Sequence, residues 1–401
     1  MRLGYTITSY LPAIGGAQLH AHMLARELSS DFDVRVASMW SRHRTDWLRG
    51  TTLSGPLASR DYEIDGVQVT RLGLSRAERT GLLPSVLGYV LWQRMAVRRI
   101  GRTLLPHLRA VLDGAQLVHN FRIGREPLTY ASAMLARELG IPFVLTPFHH
   151  PRWTSWLFRV YHELYRSADA VLALTEAERH VLIGLGVSAE RISVVGHGPV
   201  LDEDPRADRF RSQEGIDGPI VLFLGQKFAY KGLNALLEAA PLVWRTHPSA
   251  RFVFIGPRTP ASNRLFRRVA DPRIIEMDAV SLEVKTDALA ACSLLCVPSA
   301  QESFGGVYVE AWSLGKPVIA ADIPATRELI HHGEDGLVVS QDAPSLAEAI
   351  ALLLDDSALA TTLGQRGRDK VNERYRWPAV ASRVAAVYQA LLSRHGTVAE
   401  V

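Results

Sequence analysis

The chain has 401 residues, 47% of them hydrophobic and 21% charged, a composition that leaves no large disordered fraction and at this length predicts two domains. Its net charge of +4 is uneven: the first 200 residues carry 23 arginines against 16 acids, the remainder 22 lysines and arginines against 25. That excess suits an anionic acceptor, a lipid surface or merely a solvated face, and not nucleic acid, for which there is neither a binding motif nor a basic stripe interleaved with aromatics. No run approaches the ~18 apolar residues of a membrane span; the longest candidate, 81–92, is interrupted by Pro84 and Ser85. No leader peptide is apparent after Met1, so a cytoplasmic enzyme is expected. Cys292 and Cys296 alone build neither a disulfide framework nor a zinc site, and they read as buried apolar residues.

Residues 2–8 read as a strand, followed by a loop with Gly15 and Gly16 and a helix through residue 28, the opening of a Rossmann-like unit. The loop lacks G-x-G-x-x-G spacing, so no nicotinamide cofactor is indicated. Residues 32–40, and two runs within 62–72 about an Asp65-Gly66 turn, are the next strands. Residues 82–112 place apolar side chains at helical intervals beside Arg94, Arg98, Arg99 and Arg102, which predicts one long amphipathic helix. Its basic face either touches a membrane or an acceptor, or stays in water. Strands at 116–119 and 142–146 follow, the second running into a loop with His149 and His150. Loops after the carboxyl ends of parallel strands line the ligand crevice, so both histidines are candidates and the sequence does not choose between them. Strands at 170–174 and 191–195 lead to Gly196-His197-Gly198-Pro199, a connector suited to a hinge. The expected domains are 1–197 and 198–375, with 376–401 as a final helix.

A strand at 220–224 restarts the alternation, and the loop after it holds Gln226, Lys227 and Lys231. The chain has five lysines, so two in one strand-to-helix loop point to a diphosphate, which compact cations neutralise. Further strands are expected at 252–255, 274–277 and 294–297. Asp202-Glu203-Asp204 and Asp355-Asp356 lack histidine support and read as solvated acids, so no metal site is expected. The densest motif is 296–320, CVPSAQESFGGVYVEAWSLGKPVIA: a strand, a loop with Glu302 and the Gly305-Gly306 pair, and a helix over about 307–314 with Glu310 about two turns in. Free amides of Phe304, Gly305 and Gly306, flanked by Ser303 and Val307, sit at a helix start and favour an anion. A carboxylate accepts paired hydrogen bonds from vicinal hydroxyls, which suits Glu302 and Glu310 to a ribose or hexose.

Glu302 to Glu310, ESFGGVYVE, preceded by Val297-Pro298-Ser299 and followed by GKPVIA, resembles the E-x7-E motif of glycosyltransferase family 4, retaining enzymes of GT-B fold. The resemblance implies two Rossmann-like domains facing each other across a cleft, the first for the acceptor and the second for a nucleotide sugar, with the last helix crossing back to the first. It implies transfer from a nucleoside-diphosphate sugar, UDP or GDP being expected, to a glycan, lipid-linked or small-molecule acceptor. Neither cofactor nor metal is implied, and a peripheral contact with the inner membrane face is compatible with it. Glu310 would bind the ribose, Glu302 the transferred sugar, and Gly15-Gly16 the donor. Lys231 matches the family's lysine. Gln226 stands where the family has an arginine, leaving Lys227 to supply that charge. The family's histidine follows a threonine at a strand end; here Phe148 stands two after Thr146, and His149 or His150 takes the role. A nucleotide-sugar epimerase and a sugar phosphorylase of the same fold are the alternatives.

Overall fold

The structure is a computed structural model that describes residues 1–13, 15–39, 48–122, 124–269 and 271–398. Ile14 of the glycine loop, Trp40 at the end of the second expected strand and the last three residues lie outside this set. The chain forms two compact units, Met1–Gly196 with the segment from Trp377 onward, and His197–Arg376.

The first unit is built on β1 (Arg2–Ile7), β2 (Asp33–Ser38), β3 (Arg60–Ile64), β4 (Val67–Arg71), β5 (Leu117–Phe121), β6 (Phe143–Thr146), β7 (Ala170–Ala173) and β8 (Ile192–Val194), in the order β3-β4-β2-β1-β5-β6-β7-β8. Every pairing is parallel except β3 with β4. Strands β5, β6 and β7 are buried throughout, as a sheet covered on both faces requires. The β3–β4 edge turns on Asp65 (φ 49°) and Gly66 (φ 78°), the left-handed pair of a two-residue hairpin.

The single helix expected over 82–112 is two, Arg76–Leu87 and Gln93–Val111. Ser75 and Glu78 start the first with a reciprocal capping box. It ends at Gly88, where a Cβ would come 3.1 Å from the Trp92 ring, so the missing side chain lets the turn fold onto the next helix. Apolar periodicity runs through such a break unchanged and hides it. The final helix, Trp377–Val398, belongs to this unit: Tyr388 bonds Tyr5 at 3.0 Å, and Arg383 donates to the Val195 carbonyl at 3.0 and 2.8 Å.

The second unit holds β9 (Ile220–Leu224), β10 (Arg251–Ile255), β11 (Ile274–Met277), β12 (Leu294–Val297), β13 (Val318–Ala321) and β14 (Leu337–Val339) in one parallel sheet ordered β11-β10-β9-β12-β13-β14. This is the doubly wound order, whose direction of winding reverses between β9 and β12. Both cysteines are buried beside that point, and burial pushes the Cys292 thiol up to about 12.

Candidate functional site

The loops after β9 and β12 flank the reversal, and backbone contacts join them. The Ala300 amide donates to the Tyr230 carbonyl at 2.7 Å, and the Gln341 side chain donates to the carbonyls of Tyr230 and Pro298. Gly232 has φ 80°, and a Cβ there would stand 2.2 Å from the Pro298 oxygen, so only glycine admits the approach. This clamp brings Lys231 and Glu302 together: Nζ lies 2.6 Å from Oε1, and both side chains are largely withdrawn from solvent. The Tyr230 ring flanks the ammonium at 5.6 Å.

Glu302 sits on the loop that enters the helix Gly306–Ser313. Gly305 caps it at φ 90° with no side-chain cap bond, and a Cβ there would strike the Tyr308 ring at 2.5 Å. Being glycine, Gly305 has no side chain with which to cap the first-turn amides, those of Gly306 and Val307. Phe304 is buried, stacked on His197 at 5.8 Å and edge-on to Tyr375 at 5.4 Å, which fixes the turn. The His197 ring also lies 3.5 Å from where a Gly306 Cβ would be. Ser303 and Val307 are partly exposed on either side.

Glu310 lies four residues past Gly306, one turn in rather than two. It is buried and paired at 2.8 Å with Lys285, whose ammonium also donates to the Val200 carbonyl at 2.6 Å. Lys285 comes from the helix Leu282–Ala291, and local sequence assigned it nothing; its only signal was the scarcity of lysine. Behind the site the helix is anchored by Trp312, whose indole N–H donates to the Asp335 carbonyl at 2.8 Å.

Lys227 differs from expectation. Its ammonium is buried against Glu276 and the Met277 carbonyl, and Arg258 holds the same carboxylate at 2.7 Å. Burial pushes its pKa down, and pairing with Glu276 offsets only part of that. So engaged, Lys227 ties the loop after β9 to the end of β11, its charge matched by Glu276. Gln226 stays at the partly exposed surface of that loop.

In the first unit Gly15 caps the helix Gly16–Glu27. Its φ of −170° is ordinary extended backbone, and the Gln18 Oε1 that would lie 2.4 Å from a Cβ is the end of a flexible side chain that can turn aside, so neither demands glycine; Gly16 faces open space. The strand end after β6 carries a local strain, Phe148 at φ 42°. Beyond it His149 and His150 are both buried. The His149 amide donates to Glu178 Oε1 at 2.5 Å, and its ring stands among Trp153, His162 and Tyr165. Burial, with the Arg122 charge beside it, pushes the His149 imidazole down to about 3, so it is neutral at ordinary pH.

Arg122, which the sequence did not single out, occupies the carboxyl end of β5, beside β1 where this sheet reverses. It is wholly buried, its guanidinium 4.6 Å from the Tyr161 ring centre and 5.1 Å from that of Trp153, and it donates to the Tyr165 hydroxyl. Of the acids read as solvated, Glu203, Asp204, Asp355 and Asp356 are exposed; Asp204 also pairs with Arg206 at 2.6 Å, Asp355 with His247 at 3.0 Å, and Asp356 caps the helix Ser357–Lys370. Among the described residues no group of three or more His, Cys, Asp or Glu is arranged to hold a metal ion, and no helix is long and apolar enough to cross a membrane.

Residues 15–198 match the family described as glycosyl transferase 4-like domain, and residues 218–356 that of glycosyl transferases group 1. The chain is 26% identical over 329 residues to an alpha-D-kanosaminyltransferase of Streptomyces kanamyceticus, covering 75% of this chain and 82% of that protein. It is 32% identical over 251 residues to a D-inositol 3-phosphate glycosyltransferase of Thermobispora bispora, spanning 58% of each. Among solved structures, sucrose-phosphate synthase from Thermosynechococcus elongatus superposes with TM-score 0.76 at 19% identity, over 98% of this chain and 99% of that one. HepE from Anabaena, in complex with UDP and glucose, gives 0.74 at 19% identity, over 97 and 99%. These likenesses carry the GT-B fold.

Proposed function

Since the chain belongs to the group 1 glycosyltransferases, we propose that it moves a sugar from a nucleoside-diphosphate sugar to a glycan, lipid-linked or small-molecule acceptor with retention of configuration. The observation that carries this is the Lys231–Glu302 pair on the two clamped loops, beside a helix start whose capping residue is a left-handed glycine. Breaking the sugar–diphosphate bond builds negative charge on the departing group, and Lys231 with the amides of Gly306 and Val307 stabilises it. Glu302 positions that lysine and accepts hydrogen bonds from the sugar; Glu310, oriented by Lys285, accepts them from the ribose. UDP and GDP sugars are the proposed donors, and the complex of HepE with UDP and glucose supports the first. The proposed chemistry calls on neither cofactor nor metal. His149 and His150 shape the acceptor side of the first unit, and a peripheral contact with a membrane belongs to the same reading. Epimerase and phosphorylase activities are not favoured, since the named relatives are transferases.

The test is a thermal-shift panel of UDP, GDP, ADP, TDP and CDP with their sugar conjugates. One nucleotide stabilises the protein in proportion to the logarithm of its concentration. A folded protein that responds to none overturns the reading.

A further inference from the structure

The two helices Arg76–Leu87 and Gln93–Val111 meet at a turn that the fold leaves uncovered. Four large apolar side chains crowd it: Leu87, Leu91, Trp92 and Met95 keep 74, 72, 61 and 70% of their surface exposed. On the second helix Ala96, Val97, Ile100 and Leu104 face inward, which fixes Met95, Arg98, Arg99 and Arg102 on the outer side. A groove of about 520 Å³ runs among Trp92, Met95 and those three arginines. Arg94 is satisfied by Glu163 at 2.5 Å, but Arg98, Arg99 and Arg102 have no ion pair among the described residues. From residue 79 to residue 112 the sequence holds six arginines and no acid.

An apolar tip flanked by unpaired cations is the pattern of a surface that lies in the interface of an anionic bilayer, apolar groups among the acyl chains and arginines at the phosphates. A second copy of the chain would set like charges against each other, which disfavours a dimer on this face. We propose that the turn between these helices docks the protein on an anionic lipid surface, with Leu87, Leu91, Trp92 and Met95 inserted and Arg98, Arg99 and Arg102 on the headgroup phosphates. The inference deepens the proposed function, on which it rests only for its purpose: a docked enzyme meets an acceptor that is itself held at the membrane.

Flotation with vesicles tests it. Phosphatidylcholine vesicles containing phosphatidylglycerol carry the wild type to the top of the gradient, and phosphatidylcholine vesicles alone do not. Binding weakens as salt shortens the screening length from about 10 Å at 0.1 M. The variant Arg98→Gln/Arg99→Gln/Arg102→Gln binds ~100-fold more weakly, about fivefold for each charge. Leu87→Gln/Leu91→Gln/Trp92→Gln loses about tenfold or more. All six positions are exposed, so both variants keep the fold and the wild-type response to nucleotide. Failure of the wild type to float, or flotation of both variants to the same extent as the wild type, overturns the proposal. So does a concentration-dependent dimer that only the apolar variant dissolves, which would make the patch a self-interface. A protein that floats but is stabilised by no nucleoside diphosphate leaves docking intact and removes the transferase reading; the opposite result removes docking alone.

Discussion

Lys231 and Glu302, 71 residues apart in sequence, form a 2.6 Å ion pair because Gly232 lets one loop close on the carbonyl of Pro298 in the other. The pair is a working charge rather than a strut if its loss affects chemistry more than folding. Lys231→Ala is expected to lower kcat about 100-fold, the usual cost of one preorganised charge-stabilising donor, with only a small change in melting temperature. Equal losses in both would make the lysine structural.

Lys227 should behave in the opposite way. Its ammonium is buried on Glu276, so Lys227→Met destabilises the protein by about 3 kcal/mol, the low end for breaking a buried pair, because Arg258 still holds the carboxylate. Urea unfolding measures this. Nucleotide affinity at a temperature where the variant is folded stays near wild type, and a tenfold loss would return Lys227 to the binding surface.

Glu310 and Lys285 act as a unit if the lysine orients the carboxylate. Glu310→Gln raises the dissociation constant for the nucleotide about tenfold, as expected for a lost hydrogen bond to a charged group. Lys285→Met gives a similar rise, and the double variant is little worse than either. Additive effects in titration calorimetry would mean that Lys285 contacts the ligand itself or does not act through Glu310.

Acid should weaken the first unit in a definable window. Burial holds the imidazoles of His119 and His149 at about 3, against 6.5 in the unfolded chain. Between those values the unfolded chain binds more protons, so stability is whole above pH 6.5 and falls as pH drops towards 3. The slope approaches about 1.4 kcal/mol per pH unit for each histidine. Denaturation midpoints at pH 7 and pH 5 measure it, and His149→Gln flattens it; an unchanged slope would show that the ring is free to charge.

The helix that carries Glu310 leans on a glycine. A Cβ at Gly367 would lie 2.0 Å from the Trp312 ring, so Gly367→Ala forces the indole aside and costs about 2 kcal/mol. Because Trp312 and Glu310 share that helix, nucleotide binding falls with it. Calorimetric unfolding with and without nucleotide separates the two effects.

What the sequence disclosed was local. β9 and β12 are apolar runs bounded by glycine or proline, and ESFGGVYVE carries its loop, its left-handed glycine and its helix start within nine residues. What it withheld depends on which way a side chain turns after the chain has folded. Lys227 and Lys231 lie in the same loop, yet one points into the sheet edge and the other towards Glu302. Lys285 meets Glu310 across two helices, and no periodicity records such a meeting. Arg122 was one arginine among 23 in its half until the aromatic rings around it were in place.

The return of the last helix sets an order on the birth of the protein. Tyr388 completes hydrogen bonds with Tyr5 and His119, so the amino-terminal unit is synthesised first and finished last. While the ribosome makes the whole second unit, the strands that will receive Tyr388 wait uncovered, and a chain that stops before residue 377 leaves its earliest-made half unsealed.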